Sequence, residues 1–138
     1  MTAEPSAFLD AARSFLGVPY RLHGRTRNGV DCLGLVLASV HAAGGPLLKA
    51  GGYALRNIDT QRFLPLSAQA GFLPCSGTGE EKADGDVWLL RTGPALNHCA
   101  ILDGDSLIHA HAGLRRVVRQ RIPKDWQLLA AFRMKGVR

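Results

Sequence analysis

The sequence predicts an α+β domain: helices toward the N-terminus packed on a C-terminal antiparallel sheet of about five strands. Three observations point there. Apolar residues recur with helical spacing in the first third of the chain. From Asp86 onward the pattern changes to short apolar runs of strand length, separated by turn residues. Asp103-Gly104-Asp105 then reads as a tight hairpin turn between two of those runs. Helices first and strands afterwards make an α+β arrangement rather than an alternating one. The 138 residues suffice for one compact domain, residues 1–138, and not for two ordinary ones.

The elements follow in order. Phe8, Ala11, Ala12, Phe15 and Leu16 fall at i, i+3, i+4, i+7 and i+8, one face of an amphipathic helix. Pro5 suits its first turn, and Gly17 suits the position past its end. Residues 19–29, rich in Gly, Arg and Asn, read as a loop. A second helix is expected over 31–43, closed by Gly44-Gly45-Pro46. Its stripe of Leu33, Val36, Leu37 and Val40 is widened by Cys32, Leu35 and Ala38, which places it centrally in the core. A short helix is expected over 59–70 despite Pro65, and 76–84 reads as an exposed polar loop. Strands are expected over 87–91, 98–102, 107–111, 115–121 and 128–133. No repeat or low-complexity segment occurs.

Composition narrows the class. Apolar residues make up 46% and charged residues 20%, typical of a globular chain rather than a disordered one. No stretch approaches the roughly 18 consecutive apolar residues of a membrane span. Residues 1–10 carry Glu4 and Asp10 and lack the basic-then-apolar pattern of a secretory signal. Synthesis in the cytoplasm is therefore expected, with export only by another machine. The three cysteines form an odd set, which favours free thiols over a disulfide scaffold. The net charge of +6 raises a nucleic-acid reading. However, the basic groups at 21–27 and 115–121 lack interleaved aromatics for base stacking, so no nucleic-acid partner is expected. A solvated basic face or attraction to an anionic polymer accounts for the charge.

Cys32 opens the second helix, just after Asp31. Unpaired N–H groups and the helix dipole converge there, favouring thiolate and supplying donors for an oxyanion. Cys75, read as a loop residue, has no such support. Cys99, mid-strand, points to the face opposite His98. His98 and His109 lie on the two strands joined by the 103–105 turn and fall nearly opposite each other. One imidazole can take the thiol proton while the other orients its ring. His111 shares a face with His109 and is a spare. No Cys-x-x-Cys occurs, and His98 and Cys99 diverge, so no metal and no cofactor are expected. A serine nucleophile has no Gly-x-Ser-x-Gly elbow. Gly77-Thr78-Gly79 is too short for a phosphate loop.

Five segments, in order and spacing, carry a family resemblance: Leu16-Gly17-Val18-Pro19-Tyr20, Asp31-Cys32-Leu33-Gly34-Leu35-Val36, Gly85-Asp86-Val87, Asn97-His98-Cys99-Ala100-Ile101 and Ile108-His109-Ala110. Together they resemble the NlpC-type cell-wall cysteine peptidases, from about residue 11 to residue 132. The resemblance implies a papain-like core and hydrolysis of peptidoglycan stem peptides, typically at the γ-D-glutamyl to diamino-acid bond. It implies Cys32 as nucleophile, His98 as base, His109 as the ring-orienting residue and Tyr20 as a residue lining the site. Asp31, Leu33 and Arg21 join Tyr20 as candidate substrate contacts. Arg21, Arg25 and Arg27, in the loop leading to Cys32, could hold carboxylates of an acidic stem peptide.

The chain departs from the commonest family pattern at Leu33, where serine is usual, and at Leu22-His23-Gly24, where Trp-Gly-Gly is frequent. The Asp-Cys-Leu-Gly-Leu form, the expected lack of a signal and Ala131-Phe132-Arg133 resemble the subgroup carried on phage tails and gene transfer agents. Tail-tip proteins are then the implied partners, and the particle the implied carrier to the wall. Two other readings stand beside the peptidase: a thiol acyltransferase or amidase on the same fold, and a tail-tip structural protein with a vestigial site.

Overall fold

A computed structural model describes residues 5–48, 60–76, 82–94 and 96–135. Most of the 76–84 stretch read as a polar loop, Gly77-Thr78-Gly79 included, lies outside the described residues.

Helix α1 (Pro5–Ser14) buries Phe8, Leu9 and Ala12. It stops two residues earlier than the apolar spacing predicts. Phe15 and Leu16 donate to Ala12 and Arg13 in i to i−3 bonds, and Gly17 takes φ +88°. The tightened turn keeps Phe15 buried but rolls Leu16 outward. Strands β1 (Arg25–Thr26) and β2 (Gly29–Val30) then form a two-stranded ribbon inside the stretch read as loop. Helix α2 (Cys32–Ala42) has every residue from Cys32 to Val40 buried, as its nearly all-round apolar sequence requires. Asp31 and Ala43, expected as helical, are its two caps. Helix α3 (Thr60–Ala70) continues through Pro65 and ends at Gly71, φ +93°.

The main sheet has six strands: β3 (Phe72–Cys75), β4 (Val87–Gly93), β5 (Leu96–Asp103), β6 (Ser106–His111), β7 (Arg116–Arg121) and β8 (Gln127–Met134). Their spatial order is β3-β8-β4-β5-β6-β7, and every pairing is antiparallel. The five expected strands are all present. The sixth, β3, carries Pro74, which an edge strand tolerates because one side of its backbone has no ladder partner. Cys75 therefore ends a strand and is not a loop residue. The β5–β6 turn contains two residues, Gly104 and Asp105, with Asp103 paired to Ser106. Gly104 at φ +66° supplies the conformation that such turns need at their first central position.

Alternation along the strands divides the core. Val87, Leu89, Cys99, Ile101, Ile108, Ala110 and Phe132 join α1 and α2 in the larger cluster. Trp88, Leu90, Ala100, Leu102, Leu107 and Ala131 form a second cluster with Trp126 and Ile122. Asp103 binds Arg13 of α1 at 2.8 Å and Arg119 of β7 at 3.1 Å, so one carboxylate ties the helix to the hairpin. The Arg13 hydrogen bond holds that carboxyl below its ordinary range despite burial. Buried Asp86 similarly takes both Nε and Nη2 of Arg133, at 2.8 and 2.9 Å. Among the described residues, no helix is long and apolar enough to cross a membrane.

Phe8 is fully buried and meets the Phe72 ring edge-on at 5.3 Å between centroids. This contact joins α1 to edge strand β3. Phe8→Ala is expected to lower unfolding free energy by about 3–5 kcal/mol, as large cavities in cores do. Urea denaturation measures the loss.

Candidate active site

The site begins at the N-terminus of α2. Asp31 is fully buried and extended (φ −101°, ψ −170°). Its Oδ1 accepts from the Gly34 N–H at 2.7 Å, and its Oδ2 accepts from the His23 N–H at 2.7 Å. One carboxylate thus caps the helix and pins the loop before it. Gly34 allows the close approach: a Cβ there would fall on the Gly24 carbonyl oxygen. Tyr20 bridges to Val30, and its N–H donates to Arg115 O at 2.9 Å, tying the loop to the far end of the sheet. Cys32, the first residue of the helix, is 1% exposed.

The imidazoles come from β5 and β6. The hairpin register pairs Ile101 with Ile108, so His98 and His109 are diagonal neighbours rather than directly opposed. Their rings still meet edge to face, 4.8 Å between centroids, with His98 Nε2 2.7 Å from His109 Nδ1. His109 Nε2 lies 2.7 Å from Oε1 of Gln120 on β7. The Trp126 ring stands edge-on against both imidazoles, at 5.9 and 5.5 Å.

These groups tune one another. The Cys99 thiol hydrogen-bonds to Cys32 and is the largest influence holding the Cys32 thiol well below its ordinary range. The charge and hydrogen bond of His98 act in the same direction, against burial. Cys99 itself is pushed well above the ordinary range by its bond to Cys32 and by burial. Of the two thiols, only Cys32 sits at a helix N-terminus beside an imidazole, so the downward shift falls on Cys32. With His98 Nε2 committed to His109, Nδ1 is the nitrogen left for the thiol. Tyr20 is pushed up to about 12 by burial and then by the Cys32 and Asp31 charges. Its phenol therefore remains a donor at neutral pH.

An open cleft of about 220 Å³ runs past Tyr20, Asn97, His98, His109, His111 and Trp126. The structure brings Cys32, His98, His109 and Tyr20 together. It places the other expected substrate contacts elsewhere. Asp31 is buried and bonded to backbone amides. Leu33 is 4% exposed within the core, because the second residue of so buried a helix faces inward. Arg21 does not line the cleft; the base of its side chain lies against Gly29. Arg25 and Arg27 border a separate cavity of about 250 Å³. Arg25 donates to Leu48 O at 2.8 Å. Arg27 donates to Ser14 O at 3.0 Å and covers the Phe15 ring at 3.7 Å. His111, the spare, lines the cleft and accepts from the Leu114 N–H at 3.0 Å.

Three neighbours escaped the sequence reading. Gln120 was legible only as one polar residue in a basic strand, although the β6–β7 pairing of His109 with Val118 puts it on the His109 face. Trp126 arrives from the β7–β8 connection and has no local signal. Cys99 was assigned to the face opposite His98, and it is on that face, but α2 delivers Cys32 there as well.

The NlpC/P60 family model matches residues 17–129, a span that contains every residue of this site. The chain belongs to the NlpC/P60 family. A search of the curated proteins gave no match. Among solved structures, NlpC1 from Trichomonas vaginalis superposes with a TM-score of 0.71 at 16% identity, over 100% of this chain and 46% of that one. The peptidoglycan hydrolase RipB from Mycobacterium tuberculosis gives 0.64 at 17% identity, over 97% and 65%. An N-acetylmuramoyl-L-alanine amidase from Bacteroides uniformis gives 0.65 at 16% identity, over 96% and 99%. The chain spans about half the length of the Trichomonas protein. These similarities establish the NlpC/P60 fold, with its helices packed on an antiparallel sheet.

Two outcomes follow from this NlpC/P60 site. Asp31→Ala is expected to cost about 1–2 kcal/mol through the lost cap, and Asp31→Asn less, since one acceptor remains; chemical denaturation ranks the two. His109 is held down to about 4, from 6.5, by burial first and by His98 and His111 beside it, against the raising effect of Gln120. Between those values the unfolded chain binds a proton that the folded chain does not, so stability falls as pH falls. The full difference is about 3 kcal/mol. Denaturation at pH 7 and pH 4.5 is expected to show the loss, reduced in His109→Asn.

Proposed function

We propose that this chain is a cysteine peptidase that hydrolyses peptidoglycan stem peptides, with Cys32 as nucleophile, His98 as general base and His109 as the ring that orients it. The observation that carries the reading is the His98–His109 ring pair at 2.7 Å, with the His98 charge and hydrogen bond helping to hold the Cys32 thiol at the start of α2 below its ordinary range.

The steps follow from the geometry. His98 Nδ1 takes the Cys32 proton, and the thiolate attacks the scissile carbonyl carbon. Charge developing on the carbonyl oxygen meets the N–H groups opening α2 and the protonated Tyr20 phenol. The intermediate collapses to a thioester on Cys32 as His98 passes its proton to the departing amine. Water then attacks the thioester, with His98 as base, releasing the acid and restoring the Cys32 thiol. Buried neutral His109 accepts a hydrogen bond from His98 Nε2 and supports its imidazolium without adding a second charge.

The γ-D-glutamyl to diamino-acid bond is the proposed target, on the resemblance of the Asp31–Val36 and Asn97–Ile101 segments to the family's wall peptidases. The Asp31-Cys32-Leu33-Gly34-Leu35 form supports a carrier-borne role on a phage-like tail. An amidase acting at the sugar end of the stem is the second reading, favoured by the Bacteroides uniformis amidase. Its acyl-enzyme chemistry is the same, and only the position of the new amine differs. Mass analysis of muropeptides distinguishes the two. The wild type is expected to release new stem-peptide amino groups from purified wall, and Cys32→Ala to release none while melting normally. Cleavage by Cys32→Ala at the wild-type rate would refute the assignment.

A further inference from the structure

Beyond the Cys32, His98 and His109 set, the polar relay has a fourth member. Gln120 sits on β7, two strands away from His98, and its amide Oε1 is 2.7 Å from His109 Nε2. Cross-strand pairing explains its position. His109 pairs with Val118 and Leu107 with Gln120, so Gln120 shares the His109 face one diagonal along.

An amide oxygen can only accept. His109 Nε2 must therefore carry a proton. His109 is buried among His98 from β5, His111 from its own strand, Gln120 from β7 and the Trp126 ring, with no carboxylate among these neighbours, and it stays neutral near pH 7. A neutral imidazole holds one proton, so His109 Nδ1 is left as an acceptor. His98 Nε2 lies 2.7 Å from it and is then the protonated nitrogen of His98. That leaves the lone pair of His98 on Nδ1, the nitrogen available to the Cys32 thiol.

We propose that Gln120 is a positioning residue that sets the tautomer of the catalytic base: its amide oxygen fixes the proton on His109 Nε2, and through His109 it leaves His98 Nδ1 free to accept the Cys32 proton. Without this acceptor the His109 Nε2 proton has no partner on β7, and the opposite tautomer becomes favoured. His109 Nδ1–H would then donate to His98 Nε2. His98 would carry its proton on Nδ1, facing the thiol as a donor instead of a base. The imidazolium formed on proton transfer would also meet an N–H where it now meets a lone pair.

The proposal rests on Cys32 as nucleophile, and its tests need no wall substrate. In the wild type, long-range proton–nitrogen spectra are expected to show His109 protonated at Nε2 and unprotonated at Nδ1; the reverse tautomer overturns the proposal. The second test is the pH profile of Cys32 alkylation by iodoacetamide, in wild type and one variant. Gln120→Leu is expected to slow alkylation at pH 7 at least tenfold and to move the profile upward by about one pH unit. The same spectra of Gln120→Leu, the second variant readout, are expected to show the His109 proton moved to Nδ1. A Gln120→Leu alkylation profile that superposes on wild type overturns the proposal, as does a Gln120→Leu spectrum in which His109 keeps its proton on Nε2. If wild-type Cys32 is no more reactive than an ordinary thiol, the nucleophile assignment fails instead, while the His109 tautomer is still read directly.

Discussion

The buried Asp31 carboxylate joins the start of α2 to the loop that precedes it. Its oxygens hold the Gly34 N–H inside α2 and the His23 N–H in the preceding loop, both at 2.7 Å. Removing that carboxylate from water is tolerable because both oxygens are hydrogen-bonded. The clamp sets where α2 starts, and Cys32 is the first residue of the helix. It also brings the loop close enough that only glycine fits at position 34 against the Gly24 carbonyl. The free amides at the start of α2 depend on the same junction.

From that point the site is assembled across the sheet. Cys32 comes from a helix, His98 from β5, His109 from β6 and Gln120 from β7. Three adjacent strands thus supply the three polar groups beside Cys32, in spatial order. Antiparallel pairing fixes their spacing, and the Asp103 link to Arg13 and Arg119 holds the far end of the hairpin against α1. A thiol depressed by its surroundings and a buried second histidine held down to about 4 are complementary in the proposed mechanism. There the first is the nucleophile near neutral pH, and the second orients the base without repelling its positive form.

The cleft is less basic than the net charge suggests. Arg25 and Arg27 are engaged beside a different cavity, and Arg119 is bound to Asp103. The cleft by His98 is lined instead by aromatic, amide and imidazole groups such as Trp126, Asn97 and His111.

Much of this was legible in one dimension. The apolar spacing of α1, the nearly continuous apolar run of α2 and the five strand runs after Asp86 each reflect local periodicity, which survives in any context. Cys32 at a helix start and two histidines across a short turn are also local facts, so the central set could be named from sequence. Tertiary contact decided the rest. β1, β2 and β3 carry too few residues to show a period, and Pro74 disguises β3 until its edge position is known. Leu33 and Asp31 resemble site residues by adjacency, yet helix burial turns one into core and capping commits the other to the backbone. Gln120, Trp126 and the Cys99 contact depend on which strands and loops become neighbours, and no spacing along the chain encodes that. The sequence by itself determined the class of fold and singled out Cys32 and the histidine pair, because each rests on local spacing. Only the folded sheet decided that Gln120 from β7 meets His109, because that contact depends on which strands become neighbours.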